Sequence, residues 1–332
     1  MSRSKIKGVG FYVPDNIIKN SDLENLMETT DEWIKERTGI EERRWVKDDM
    51  TTSMMGTFAA EKAIKNSNIH KDDIDFIIFA TLSPDFYFPG SGVLLQHKLK
   101  LKEVGAMDIR NQCSGFIYGL SVADQYIKSG MYNNILVVGS EIHSGGLDMS
   151  NSGRSVSVIF GDGAGAAIVS KSDDNSEILS THLHSQGKFA EELAVKKPAT
   201  TFWINKIIED QSEDDKGYFP QMNGNFVFKS AVQRFEEVII EALNHSNFCI
   251  EDIDMLITHQ ANLRISNYIR KKLNLDKKKV FNNIMKYGNT TAASIPIALS
   301  EAIENKKIKK GDIVCLAAFG SGFTWASALI RW

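Results

Sequence analysis

The chain has 332 residues, 42% of them hydrophobic, enough to bury a sizeable core in two or three ordinary domains or in one large duplicated body. Its formal net charge of -3 gives no overall basic bias, which removes the electrostatic reason to propose nucleic acid as the main partner. Three cysteines, Cys113, Cys249 and Cys315, are too few and too widely spaced for a disulfide framework or a Cys-rich zinc site, and a reducing cytoplasm suits them.

The N-terminal segment, MSRSKIKGVGFYVPDN, has bases but no apolar run or cleavage site of an export signal, and no later stretch approaches the ~20 apolar residues of a membrane span. DFIIFATL is a short apolar run without strict alternation, as expected of a strand whose sheet is covered by helices on both faces. DIRNQCSGFIYGL follows. Phe116, Ile117, Leu120, Ala123 and Ile127 recur at helical spacing, which puts Cys113 at or near a helix N-terminus. There the dipole and free N–H groups would draw a thiol below its usual value of about 8.5 and make it reactive, although a lone cysteine is also a common inert core filler. Cys249 and Cys315, in or beside apolar segments, take the inert reading.

NILVVGSEI reads as the next strand, and FGDGAGAA after it lacks the GxGxxG spacing of a dinucleotide loop, so close backbone packing explains its glycines better. Residues 185–222 are irregular and charged, suggesting an inserted flap. DMLITH is again a strand, and His259 at its end stands where open α/β sheets present ligand-binding residues. DIVCLAAFG is the last strand of this set.

These elements repeat. AIKNSNIHKDDIDFIIFATLS, from 63, matches ALNHSNFCIEDIDMLITHQAN, from 242, and LSVADQYIKSG, from 120, matches LSEAIENKKIK, from 299; both offsets are 179 residues. Two α/β halves, 1–172 and 173–332, are expected, related by a pseudo-twofold axis. The same offset maps Cys113 onto 292, so Asn289, Thr290 and Thr291 would face the thiol near that axis. With His259 they form a candidate catalytic cluster.

At these residues the chain resembles the ketoacyl-acyl carrier protein synthase III branch of the thiolase-like condensing enzymes. TTDEWIKERTGIEERRW, IFGDGAGAA, THQANLRI, YGNTTAASIP and AFGSGFTWASALIRW carry the likeness, nearly end to end and in family order. The resemblance implies a thiolase-like α/β fold, two halves in a layered α-β-α-β-α body, a homodimer, and a triad of Cys113, His259 and Asn289. It implies decarboxylative condensation of an acyl-CoA primer with malonyl-acyl carrier protein, with no metal or other cofactor, no nucleic acid and no membrane. Cys113 would carry the acyl group, with the backbone N–H groups of Cys113 and Ser321 as oxyanion hole, while His259 and Asn289 bind the malonyl thioester oxygen. Trp33 and Arg154 would sandwich the coenzyme A adenine, and Arg37, Gly224, Phe228 and Asn262 would line the coenzyme channel. Phe88 and Phe319 would belong to the acyl pocket, Phe88 closing that of the partner subunit. Lys229, Arg264 and Lys271 would dock an acidic carrier protein.

A sister reading, a non-decarboxylating thiolase, needs a cysteine base where this chain has Ala318, with Cys315 three residues earlier. Asn111 and Gln112 depart from the small residues that precede the cysteine in the common pattern. They and the flap suggest a primer other than acetyl, as in secondary-metabolite members that make quinolone-type or resorcinol-type products. A cysteine hydrolase or thioesterase and a silent scaffold are the remaining alternatives.

Overall fold

The computed structural model describes residues 2–47, 49–197, 199 and 216–332, so much of the flap expected over 185–222 lies outside the described residues. The first sheet contains β1 (Ser4–Tyr12), β2 (Phe76–Ala80), β3 (Gly105–Ile109), β4 (Asn134–Glu141) and β5 (Gly163–Lys171). Their spatial order is β1-β5-β4-β2-β3, with β2 parallel to β3 and β4, and β5 antiparallel to β1 and β4.

The second sheet repeats the plan with β6 (Glu177–Ser185), β7 (Met255–Thr258), β8 (Ile313–Gly320) and β9 (Thr324–Arg331), ordered β7-β8-β9-β6. Where β3 stands in the first sheet, this one has an isolated parallel bridge between Leu256 and Val280. The helices that matter here are α1 (Asp31–Thr38), α2 (Thr52–Ser67), α3 (Ser91–Lys98), α4 (Gly115–Lys128), α5 (Gly224–His245), α6 (Leu263–Lys272) and α7 (Ser294–Glu304).

Alternation along each strand sorts these into five layers. Ile78 and Val137 point inward with Leu316 and Ala326 of the other sheet, onto α4 and α7, which fill the middle through Phe116, Leu120, Ile295 and Leu299. Ile77, Phe79 and Val138 point outward onto Met55, Ala59 and Ala63 of α2 and Leu95 of α3. Leu256, Cys315 and Ala317 point outward onto Phe235 and Ile239 of α5 and Ile269 of α6. Both faces are covered, which explains why the strands read as continuous apolar runs. Truncating a middle-layer side chain such as Leu120, fully buried, would cost about 2–5 kcal/mol.

The offset of 179 recurs in the backbone. It relates the first residues of β2 and β7 (76 and 255), of β4 and β8 (134 and 313) and of α4 and α7 (115 and 294). It also relates residues at positive φ: Asn68 and Asn247 (55° and 57°), and Gln112 and Thr291 (40° and 50°). The glycines of FGDGAGAA serve packing: a Cβ on Gly165 would lie 2.7 Å from Pro296 Cβ and 2.9 Å from Ile297 N, where α7 crosses the sheet.

Candidate functional site

Cys113 lies in a 3-10 turn, Gln112–Ser114, between the end of β3 and the start of α4. It is 8% exposed, and it meets the end of β8 so closely that a Cβ on Gly320 would stand 2.8 Å from its sulfur. Two backbone amides, of Ser321 and of Cys113 itself, act on that sulfur and favour its charged form. They do not prevail. Burial, followed by the negative charge of Glu141, pushes the thiol up to about 12. This corrects the expectation that the helix N-terminus draws the thiol down: the cysteine stands before α4 in a desolvated turn, and loss of water outweighs the local donors.

His259 follows β7 directly, and its N–H donates to Ala317 O of β8 at 2.8 Å. Its ring is buried. Nδ1 lies 2.7 Å from Ser294 Oγ, while Nε2 has no partner among the described residues. Ser294 Oγ also accepts from Gln260 N–H at 3.4 Å; when its own proton goes to Nδ1, the ring proton sits on the unpartnered Nε2. Burial, followed by the nearby His143, lowers the imidazole to about 3 and keeps it neutral.

Asn289 precedes the turn Thr291–Ala293 that leads into α7. Its backbone clamps the halves together, its N–H donating to Ile159 O at 2.9 Å and its carbonyl accepting from Gly161 N–H at 3.1 Å. Its Oδ1 accepts from Thr291 N–H at 2.8 Å, which turns the Nδ2 donor the other way. Cys113, His259 and Asn289 thus all stand at strand ends or on the turns opening α4 and α7, the places where α/β sheets present their chemistry.

Glu141, Gly320, Ser294 and His143 were not picked out from sequence. Glu141 is fully buried and accepts from Thr81 Oγ1 (3.1 Å), Ser83 Oγ (2.8 Å) and the amides of Leu82 and Ser83, yet desolvation still raises it to about 7. Glu141 and His143 lie at and just beyond the end of β4, the same strand-end signal that singled out His259.

The expected coenzyme residues gather around α1. Trp33 has two guanidinium groups against its ring, Arg37 at 4.7 Å and Arg154 at 4.8 Å from the centroid. Trp33 and Arg154 are therefore in contact, not spaced for a purine between them, and Arg154 is held by Glu28 O at 2.6 Å. Asn262 ties the group to α6: its Nδ2 donates to Arg37 O at 2.9 Å and its Oδ1 accepts from Arg264 N–H at 2.9 Å. Gly224 opens α5, and Phe228, one turn on, has Arg264 5.9 Å from its ring centroid. Arg264, Lys271 and Lys229 are exposed, Arg264 and Lys271 seven residues apart on α6.

The two expected acyl-pocket rings separate. Phe88 is 82% exposed beside exposed Phe86 and Tyr87, so it closes no pocket of its own chain. Phe319 is a core ring on the outer face of β8, with Phe323 at 4.9 Å and Phe235 at 6.5 Å, and its packing there accounts for its position. Ala318 points inward, and Cys315 is buried in the outer core. Cys249 is exposed, with its thiol on Asp252, contrary to the expected core role. Among the described residues no cluster of three or more His, Cys, Asp or Glu is arranged to hold a metal, and no helix is long and apolar enough to cross a membrane.

Comparison with known proteins agrees with this geometry. Residues 107–187 match the family model for 3-oxoacyl-[acyl-carrier-protein] synthase III, and 243–332 match the model for its C-terminal part. A beta-ketoacyl-[acyl-carrier-protein] synthase III of Aquifex aeolicus is 45% identical over 329 residues, 99% of either chain. One from Campylobacter jejuni is 42% identical over 332 residues, covering all of this chain and 98% of its own. The crystal structure of the Aquifex aeolicus VF5 3-oxoacyl-[acyl-carrier-protein] synthase III superposes with a TM-score of 0.91 at 44% identity, over 99% of this chain and 100% of that one. The priming beta-ketosynthase of the R1128 polyketide pathway gives 0.90 at 30% identity, over 99% and 96%. With a thiolase-like fold of duplicated halves matched end to end in these relatives, the chain belongs to the beta-ketoacyl-[acyl-carrier-protein] synthase III family.

Proposed function

We propose that this acyltransferase condenses an acyl-CoA primer with malonyl-acyl carrier protein, releasing carbon dioxide and giving a 3-oxoacyl thioester, the step that initiates fatty acid synthesis. The reading is carried by a buried cysteine against the end of β8 together with a neutral His259, whose Nε2 has no partner among the described residues, and an Asn289 whose Oδ1 is engaged, leaving Nδ2 to donate.

The Cys113 thiol attacks the primer carbonyl, and the amides of Cys113 and Ser321 receive the developing oxyanion. The thioester bond to coenzyme A breaks, and the cysteine proton ends on the departing sulfur. Malonyl thioester then places its carbonyl oxygen against His259 and Asn289. As carbon dioxide leaves, negative charge grows on that oxygen, so these donors bind the transition state better than the ground state. The enolate carbon attacks the acyl-Cys113 carbonyl, and the released thiolate is reprotonated. A neutral His259 suits this role, since it donates without carrying a charge into a desolvated site. Ala318 at the place of a thiolase base supports decarboxylation as the source of the carbanion.

Trp33, Arg37, Arg154, Gly224, Phe228 and Asn262 are read as the coenzyme channel, and Lys229, Arg264 and Lys271 as the docking face for the acidic carrier. The apolar edge strand β3, next to exposed Phe86, Tyr87 and Phe88, is read as the face on which a second copy docks, with Phe88 entering the partner's acyl pocket. Three free cysteines suit a cytoplasmic enzyme needing no cofactor beyond its thioester substrates. The halves are taken to part at 172/173, in the turn between β5 and β6.

A second reading keeps the chemistry and changes the primer. Asn111 and Gln112 put two amide side chains just before the nucleophile, where small residues are the common pattern, and this supports an acyl group other than acetyl. Intact-protein mass after incubation with acetyl-, medium-chain and aromatic acyl-CoAs, beside Cys113→Ala, tests both readings. An adduct lost in the variant and consumed with malonyl-dependent carbon dioxide release supports condensation. Loss of the adduct to water alone would identify a hydrolase, and preferred acylation by acetyl-CoA would end the second reading.

A further inference from the structure

His143 is buried just beyond β4, in the half opposite Asn289. Its ring leans on Phe160 with centroids 4.5 Å apart, and its backbone N–H donates to Asp162 Oδ1 at 2.7 Å. Asp162, itself fully buried, also accepts from Ser144 N–H at 3.0 Å, Ser144 Oγ at 2.6 Å and Val46 N–H at 2.8 Å, so the turn carrying His143 is fixed on three sides. His143 Nε2 lies 2.7 Å from Thr291 Oγ1, and Thr291 N–H donates to Asn289 Oδ1 at 2.8 Å.

The middle member of this chain is strained. Thr291 holds φ at +50°, a region in which a β-branched residue is an outlier that persists only when its surroundings over-determine it. The hydroxyl bond to His143 is one of those constraints. If Thr291 relaxed to a right-handed conformation, its N–H would leave Asn289 Oδ1, and the amide could turn to present oxygen instead of Nδ2. An amide facing the wrong way would repel the enolate it is meant to stabilise.

We propose that His143 is a positioning residue that holds Thr291 in its left-handed conformation and thereby fixes the direction of the Asn289 amide. Burial lowers the His143 imidazole to about 3, so the ring stays neutral and its bond to the hydroxyl persists across the working pH range. The inference rests on the reading of Asn289 as a donor to the malonyl thioester.

The experiment uses the full chain and four changes: His143→Leu, His143→Gln, Thr291→Val and the double His143→Leu/Thr291→Val, with Asn289→Ala as reference. Acylation of Cys113 is followed by intact mass, and condensation by kcat and KM for the malonyl thioester. Loss of the relay should cut kcat about tenfold in either single variant, the worth of one hydrogen bond to an oriented group, with acylation within about twofold of wild type. The double should be no worse than either single, since both break one path, and His143→Gln, which keeps a hydrogen-bonding end, should recover most of the loss. Equal loss of acylation and condensation, or a double near a hundredfold, overturns the relay. If Asn289→Ala abolishes condensation while His143→Leu and Thr291→Val leave it intact, the relay alone falls. If Asn289→Ala has no effect, the reading of Asn289 falls and the relay with it. Should His143→Leu fail to fold, Thr291→Val carries the same test, since it keeps shape and removes the hydroxyl.

Discussion

Gly320 and Cys113 are in backbone-to-side-chain contact: a Cβ on Gly320 would lie 2.5 Å from Cys113 Cβ and 2.8 Å from its sulfur. Gly320 is not among the positive-φ glycines, so what requires glycine here is space rather than backbone freedom. Gly320→Ala must push the end of β8 away from the cysteine turn, carrying the Ser321 amide with it. Acylation of Cys113 should slow about a hundredfold, in line with an oxyanion donor displaced by an ångström, and folding should lose about 1–3 kcal/mol from overpacking. Time-resolved intact mass and a thermal melt measure the two effects. Acylation at the wild-type rate would mean that the amide does not serve the reaction.

Ser294 sets the tautomer of His259. Its hydroxyl lies 2.7 Å from Nδ1, and donation there puts the ring proton on Nε2, which has no partner among the described residues. Ser294→Ala leaves the two tautomers free to mix, so part of the population presents a lone pair to the enolate oxygen. Condensation should fall about tenfold with Cys113 acylation little changed. Nitrogen-15 NMR of the wild-type ring checks the premise directly, and a proton on Nδ1 would sink it.

Glu141 makes the stability of the fold depend on pH in an unusual direction. Its carboxyl is raised from 4.5 to about 7 because burial, the largest cause, exceeds the help of its hydrogen bonds. Between those values the folded state holds a proton that the unfolded chain has released. Stability contributed by this group is therefore fully present below 4.5 and is lost as pH rises towards 7. Glu141→Gln carries no such penalty, so its stability relative to wild type should improve by about 3 kcal/mol between pH 4.5 and 8, whatever fixed cost the amide adds. Urea melts across that range measure the difference, and a gap constant with pH would show that Glu141 titrates normally. The same change removes a charge beside Cys113 and should shift its alkylation by iodoacetamide to lower pH.

Much of this was legible in the sequence, and what was not has a physical cause. The offset of 179 carried Cys113 to the turn before α7, the turn that Asn289 precedes, because the backbone of the two halves repeats there. His259 was legible from its place after an apolar run. The raised thiol was not, since a helix start can be read locally while burial and a charge at residue 141 depend on the assembled halves. Phe319 was carried to the acyl pocket by resemblance. Residues on a doubly covered strand alternate between two apolar faces that look alike in sequence, and only the packed sheet shows that Phe319 takes the outer one with Phe235. His143 stands at the same kind of strand end as His259, but its link to Asn289 runs through Thr291, 148 residues away, which only the assembled halves reveal.

The proposed role of Trp33 separates binding from chemistry. Its indole has the guanidinium groups of Arg37 and Arg154 against it at 4.7 and 4.8 Å, a surface for stacking a nucleotide base. An adenine can join it only by displacing Arg154 from the ring or by stacking on the outer face of a guanidinium. If Trp33 holds the nucleotide as proposed, the contact involves no reacting atom and is the same before and during reaction, so it acts as uniform binding. Trp33→Ala should raise KM for acyl-CoA about tenfold and leave kcat within about twofold. An acyl thioester of N-acetylcysteamine, which lacks the nucleotide, should acylate wild type and variant equally. A variant slowed with both donors would instead place Trp33 in the support of the fold, through its packing against the apolar cluster that includes Leu23, Ile34 and Ile40.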